Sequence, residues 1–172
     1  GSTFPVTKSL IAVIPPADMI ATRFVIASVV LVAVSPKSLR MSRATLKHGM
    51  VMGFFYAAGL LCQTMGLVDT RASVSGFLTG LYVVLTPLTS APVLRLRFTM
   101  RQVSAAGLAA VGLSILTLMP DALDGGLGQG ELLTLLGAFF FAGHIVYTGQ
   151  VATPEASMSL TVTQMIVLAA VC

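Results

Sequence analysis

Six strongly polar or amphipathic side chains lie inside long apolar stretches of this sequence, where each would meet hydrocarbon unless it faced another part of the protein. They are Lys8, Arg23, Gln63, Tyr82, His144 and Gln164. A charge at the centre of a bilayer costs about 3 kcal/mol or more, so such residues usually face the interior of a helical bundle. We therefore predict that these six side chains line a binding site for a small-molecule substrate.

The two cations bear on which substrate such a site would favour. At about 1.5 Å of rise per residue, Lys8 and Arg23 lie roughly 6 to 9 Å from the nearer ends of their helices. Two interpretations stay open at this depth. The cations either line an outward-facing cavity and favour an anionic or carboxylate-bearing substrate, or they extend to the lipid headgroups as interfacial anchors.

The uncharged polar residues also have two interpretations each. His144 could relay protons, or it could be a satisfied packing residue beside the phenylalanines at 139–141. Gln63, Tyr82 and Gln164 could bind a substrate or bridge two helices through hydrogen bonds. The phenylalanines themselves are expected to face lipid or to pack.

Composition places these residues in a membrane. Hydrophobic residues make up 56% of the chain and charged residues 9%, and the mean hydropathy is +0.95, so polar side chains are too few to cover a water-soluble surface. Seven of the ten Lys and Arg residues fall in two short loops, which indicates topology rather than a nucleic-acid partner. Cys62 and Cys172 lie in apolar segments, without disulfide or metal-ligand spacing.

Apolar runs predict seven helices, of which the first and the last are incomplete. The runs cover residues 1–14, 19–34, 49–68, 72–94, 103–119, 132–151 and 158–172. In the uncharged run 72–94, Pro87 and Pro92 predict a helix that bends. The glycine pairs at 49 and 53 and at 76 and 80 predict faces on which a second helix can pack closely.

The loops predict the orientation of these helices. The basic segments 37–47 and 95–101 are expected in the cytoplasm, and the acidic, glycine-rich segment 120–131 outside. The loop 153–157 should also be cytoplasmic, although it carries Glu155 and no basic residue. The string GLGQG at 126–130 follows no strand, so it does not predict a nucleotide site.

Several segments together resemble the EamA-like branch of the drug/metabolite transporter superfamily. They are GFLTGLYVVLTPL, then a basic loop and QVSAAGLAAVGLSIL, with GSTFPVTKSL upstream and Ala-Thr-Arg-Phe in the second helix. The resemblance implies a polytopic carrier of ten helices in two five-helix repeats of opposite orientation. It divides the chain into a first repeat at 1–119 with a truncated first helix, an outer loop at 120–130 and the start of a second repeat at 131–172.

One residue of the family pattern is different here. Many members have a Glu where the fourth helix meets the fifth, whereas this chain has RLRFTMR at 95–101, without an acid. The resemblance therefore assigns no proton-coupling Glu to this chain.

A shift of 141 positions compares the two expected repeats. It gives three identities and one polar pair, namely Thr7 with Thr148, Thr22 with Thr163, Val30 with Val171 and Arg23 with Gln164. Both copies contain an apolar half-helix, a loop with proline and a helix with one strongly polar residue near its start. Five helices between the copies would invert the second, as in many secondary transporters.

The expected function is transport of metabolites, amino acids or drugs by alternating access, not an enzymatic reaction. The expected partners are the substrate and the lipid bilayer, which is the inner membrane if the source is bacterial, with no cofactor, and a homodimer stays open. One alternative is a non-transporting fragment of such a carrier. Another is an intramembrane enzyme that uses Ser73 or Ser75 with His144 and Asp69, although the sequence has no G-x-S-x-G motif.

Overall fold

The computed structural model describes residues 3–94, 100–117 and 128–172, and the regular elements in these ranges are helices. In chain order they are α1 (Thr3–Ile11), α2 (Pro16–Val34), α3 (Arg43–Asp69), α4 (Ala72–Gly80), α5 (Tyr82–Leu94), α6 (Met100–Thr117), α7 (Gln129–Val151) and α8 (Ser157–Val171). A short 3-10 helix, Pro36–Leu39, precedes α3. The all-helical bundle predicted from the sequence is confirmed.

The outer surface of the bundle is apolar. Four helical stretches are long and apolar enough to cross a membrane, namely α2, α3, Ala72–Ser90 and α7. Large side chains on these helices point outward, among them Val29 at 63% exposure, Phe54 at 58% and Phe139 at 52%. Soluble monomers rarely expose contiguous apolar patches of this kind, so we infer that this surface faces lipid. The chain is an integral membrane protein.

The third helix starts earlier than its apolar run predicts. Ser42 is the N-cap, and its Oγ accepts a hydrogen bond from the backbone N–H of Thr45 at 3.1 Å. This cap starts α3 at Arg43, so Lys47 and His48 belong to the helix instead of the loop. The predicted basic residues Arg95 and Arg97 and most of the predicted outer loop 120–131 lie outside the described residues.

The helix that contains both prolines is broken, but the break precedes them. Leu81 separates α4 from α5; its N–H donates to Leu78 O at 3.2 Å, and Val84 N–H donates to Leu81 O at 2.9 Å. These bonds span three residues, so the chain tightens locally into a 3-10 turn. The helix is therefore interrupted six residues before Pro87, and α5 continues through both prolines.

The central helix α3 packs between α7 and α8 through glycines. A Cβ on Gly49 would lie 2.6 Å from Thr163 Cβ of α8, and a Cβ on Gly53 would lie 2.6 Å from Val167 Cβ. This confirms the predicted packing face at 49–53. On the side toward α7, a Cβ on Gly66 would lie 2.5 Å from the carbonyl oxygen of Gly130.

Gly130 comes from the string GLGQG, so the role of that glycine is helix packing. The second predicted face is looser, because a Cβ on Gly76 would lie 3.7 Å from Phe4 of α1, an ordinary contact distance.

Candidate functional site

His144 lies where α7 faces both α3 and α8. Its Nε2 is 3.0 Å from Gln164 Oε1 on α8, and its ring stacks on Tyr56 of α3, with centroids 5.2 Å apart and planes at 29°. With the amide assigned this way round, Oε1 accepts and Nε2 carries the proton. Gln164 is buried, so the bond satisfies an amide that would be costly to leave unpaired. Two of the six predicted site residues are thus in direct contact.

Gln63 links α3 to α4. Its Nε2 donates to Thr79 Oγ1 at 2.8 Å, and Thr79 is only 7% exposed. Gln63 and Tyr56 are seven residues apart on α3, which places them on one face and about 10 Å apart along the helix. The contact of Tyr56 with His144 and the hydrogen bond of Gln63 with Thr79 therefore lie on the same side of α3.

A cavity of about 310 Å³ lies between these contacts. It brings together three predicted site residues with aromatic and aliphatic neighbours. The lining residues are Tyr56, Leu60, Gln63, Thr79, Tyr82, Phe141, His144 and Ile145. The Phe141 ring is 5.9 Å from that of Tyr56 and 6.5 Å from that of Tyr82, in tilted and T-shaped arrangements. The cavity is of the size and mixed polarity typical of small-molecule sites.

Arg23 lines two neighbouring cavities. One, of about 120 Å³, is also lined by Gln63 and by the side chains of α1 and α2 that surround it. The other is a crevice of about 580 Å³ beside α1, where Arg23 lies with Thr22 and Ile26. The guanidinium carbon is 5.7 Å from the centroid of the Phe24 ring. Gln63 therefore belongs both to the cavity that contains Arg23 and to the cavity that contains His144.

Lys8 is held at the end of a helix. Its Nζ donates to the backbone carbonyl of Leu67 at 3.0 Å and to that of Thr70, at the C-terminal end of α3. Those carbonyls have no partners within the helix, and the end of the helix carries partial negative charge, so a cation there stabilises α3. Lys8 therefore caps α3 in this structure. Its role toward a substrate stays a prediction.

Two important residues of the cavity were not predicted from the sequence. Tyr56 lies at i−7 from Gln63 inside an apolar run, so the helical period contained a signal for it. Phe141 belongs to the triplet that was expected to face lipid or to pack. The structure divides this triplet, because Phe139 is 52% exposed whereas Phe141 lines the cavity.

A second histidine contact lies nearer the basic end of the bundle. His48 Nδ1 of α3 is 2.8 Å from the Tyr147 hydroxyl of α7, one turn beyond His144. This contact joins α3 and α7 on the side of the loop that contains Lys37 and Arg40. A second contact between polar side chains thus joins α3 to α7 outside the cavity lining.

The arrangement expected of an intramembrane hydrolase would pair a serine with His144. His144 Nε2 is hydrogen-bonded to Gln164 instead. Ser75 Oγ is buried, and within the described part of the chain it has no hydrogen-bond partner. No base within that part therefore activates Ser75.

Comparison with known proteins gives one family and one curated relative. The model of the EamA-like transporter family matches residues 1–118. A protein from Archaeoglobus fulgidus, described as an uncharacterized transporter, is 34% identical over 145 residues, which cover 84% of this chain and 44% of the relative. The chain thus spans less than half the length of that relative. No solved structure matches it.

Proposed function

Because the chain belongs to the EamA-like transporter family, we propose that it carries small anionic metabolites through a membrane by alternating access. Family membership points to a membrane transporter rather than to an enzyme. The observation that carries the finer proposal is the position of Gln63, which lines the cavity of Arg23 and the cavity of His144. Leu60 lines both cavities as well, and in this proposal one solute extends past these two residues from one cavity into the other.

The depths of these residues support a path across the bundle. Arg23 is seven residues, or about 10 Å, from the start of α2, and His144 is the same distance from the end of α7 that leads to the 153–157 loop. Tyr56 is thirteen residues from each end of α3 and so lies at its midpoint. In inverted-repeat transporters the substrate site lies near the bilayer midplane. We place the substrate between Arg23 and His144.

We propose that residues 1–119 form a first repeat and that residues 131–172 begin an inverted second one, with an outer loop at 120–130 between them. Gly49 and Gly53 of α3 pack against Thr163, Gln164 and Val167 of α8. A shift of 141 positions maps these three residues onto Thr22, Arg23 and Ile26, which line the crevice beside α1. On α8 this face is buried against α3, whereas on α2 the equivalent face is exposed in the crevice, with Ile26 at 60% exposure. In the proposed arrangement, a helix of the second unit packs on this face of α2.

The role of Gln63 is tested by an amide-to-acid change. In proteoliposomes containing the chain, we expect uptake of labelled benzoate and succinate above that of protein-free vesicles. Gln63→Glu places a negative charge between Arg23 and His144, and should lower this uptake by about tenfold or more, which corresponds to about 1.4 kcal/mol. Uptake is normalised to the amount of protein in the membrane.

Gln150→Glu is the matched control, because Gln150 is exposed near the end of α7 and should tolerate the same change. Equal losses in the two variants, or no uptake by the unchanged chain, would contradict the proposed function.

The proposed orientation puts the basic loop in the cytoplasm. Single cysteines at Ser42 and at Gly126, in a background without Cys62 and Cys172, should react with an impermeant thiol reagent from opposite sides of the membrane. Ser42 is exposed at the start of α3, and Gly126 lies in the predicted outer loop, outside the described residues. Labelling of both positions from one side would reject this orientation.

A further inference from the structure

Three aromatic rings are among the eight residues that line the 310 Å³ cavity. Tyr56, Tyr82 and Phe141 come from three different helices, and the Phe141 ring is tilted relative to that of Tyr56 and T-shaped relative to that of Tyr82. Rings prefer such tilted and edge-to-face contacts, and an additional ring can join the cluster with the same geometry. The only aliphatic side chains in this lining are Leu60 and Ile145. The lining thus offers aromatic, polarisable surface to a ligand, apart from the face of Tyr56 that stacks on His144.

Charge limits which aromatic ligand fits. The acidic residues of the described ranges are Asp18, Asp69, Glu131 and Glu155, all at or beside helix ends and none in the lining of the three cavities. Arg23 is the permanent cation in these linings. A ligand with an ammonium group would find no carboxylate there, whereas an anionic group can bind the guanidinium.

Gln63 lies where the cavity lined by the aromatic rings meets the cavity lined by Arg23. Gln63 and Leu60 line both cavities, so the cavity with the aromatic rings and the cavity with Arg23 meet at these two residues, of which Gln63 is the polar one. The cavity of Arg23 is about 120 Å³, which suits a small group, and the ring-lined cavity is about 310 Å³. The larger part of a ligand therefore belongs among the rings.

We infer that the transported solute is an aromatic carboxylate whose ring lies among Tyr56, Tyr82 and Phe141 and whose carboxylate points toward Arg23. This inference rests on the proposed function and adds a substrate class to it. Tyr56 and Phe141 become residues that determine specificity for the ring. Aromatic contacts of this kind change binding by about 2- to 12-fold each.

The sequence suits a direct binding measurement. It contains no tryptophan, so indole emission from a mixture of protein and indolepropionate comes from the ligand. The chain in liposomes should change that emission more than protein-free liposomes of the same lipid. Octanoate, with a carboxylate and no ring, and phenethylamine, with a ring and an ammonium, should each displace indolepropionate about tenfold more weakly than phenylpropionate, which has both a ring and a carboxylate and no indole emission.

Two variants on α7 separate the ring wall from the lipid surface. Phe141→Leu should weaken indolepropionate binding by about 2- to 12-fold and leave octanoate unchanged. Phe139→Leu should leave both unchanged, because Phe139 is 52% exposed on the outer surface. Equal effects of the two variants would overturn the assignment of the ring site.

The outcomes also distinguish the inference from the function beneath it. Equal affinity for octanoate and indolepropionate would overturn the ring preference, while uptake of carboxylates that depends on Gln63 would still support an anion carrier. Tighter binding of phenethylamine than of phenylpropionate would overturn the charge assignment. Absence of both binding and carboxylate uptake would overturn the inference and the proposed function together.

Discussion

Gly66→Ala should destabilise the bundle strongly by forcing α3 away from α7. The new methyl carbon would lie 2.5 Å from the carbonyl oxygen of Gly130, 2.5 Å from Thr134 Oγ1 and 2.9 Å from the Thr134 backbone nitrogen. Two of these atoms belong to the backbone of α7, so no side-chain rotation relieves the overlap. Overpacking of this kind costs about 1 to 3 kcal/mol in well-packed cores, and we expect the upper end of that range.

Gly130 of α7, which packs against Gly66 of α3, gives a second variant. A Cβ on Gly130 would overlap Thr70 Oγ1 and lie 2.7 Å from the carbonyl oxygen of Gly66. Gly130→Ala should therefore be similarly destabilising, and the double variant should cost less than the sum, because both changes act on one contact.

Gly149→Ala is the control on the same helix, since a Cβ there meets nothing within 4 Å. Replacing glycine by alanine in open helical space is neutral or stabilises by up to about 1 kcal/mol. Unfolding in a titration with denaturing detergent, followed by circular dichroism, measures all four variants. Equal stability of Gly66→Ala and Gly149→Ala would show that α3 and α7 are not in such close contact.

The positions and order of the helices followed from the sequence because they depend on hydrophobic length, which is a local property; the number differs because the run 72–94 forms two helices, α4 and α5. The uncharged runs gave the central part of each helix, and they missed the ends. Ser42 starts α3 six residues before the apolar run, because capping depends on one side chain and not on mean hydropathy. The helix is interrupted at Leu81 and not at Pro87. In a membrane protein, neighbouring helices and side chains can satisfy the carbonyl that a proline leaves unpaired, so a proline need not interrupt the helix.

The site was less predictable, because sequence gives the depth of a residue along a helix and not its partner. His144 and Gln164 were both recognised as polar residues in spans, but their 3.0 Å contact depends on how α7 and α8 pack on α3. Tyr56 has the same kind of sequence context as the predicted Tyr82, an uncharged apolar run, and that context does not show which tyrosine contacts another polar side chain. Only the third dimension places its ring against His144.

The partner of Lys8 could not be predicted from its depth along the helix either. From its depth alone, a cation in a membrane helix is a candidate for a substrate or for a headgroup. The structure gives it backbone carbonyls at the end of α3, 59 and 62 residues away in the chain. The carbonyls at the end of another helix are a third kind of partner for a half-buried cation. The spacing of residues within α1 does not show that such a helix end lies nearby.

Arg23→Gln should lower the apparent affinity for an anionic substrate by about tenfold to a hundredfold. Hydrogen bonds to charged groups contribute about 1.5 to 3 kcal/mol, which corresponds to a loss of that size. Arg23→Lys should give an intermediate loss, because it keeps the positive charge but removes the planar fork that binds a carboxylate through two parallel hydrogen bonds. The order expected from a role in binding is therefore arginine, then lysine, then glutamine.

An interfacial anchor predicts a different order. If the guanidinium only reached toward the headgroups beside Phe24, lysine would serve as well as arginine, and glutamine would lower the amount of protein in the membrane more than its affinity. Arg40→Gln supplies the matched control, because Arg40 is exposed in the loop before α3 and the change removes the same charge. The measurement is the concentration dependence of uptake in proteoliposomes, normalised to reconstituted protein. An apparent affinity that stays unchanged in Arg23→Gln would remove Arg23 from the site and leave Gln63 and His144 as its polar groups.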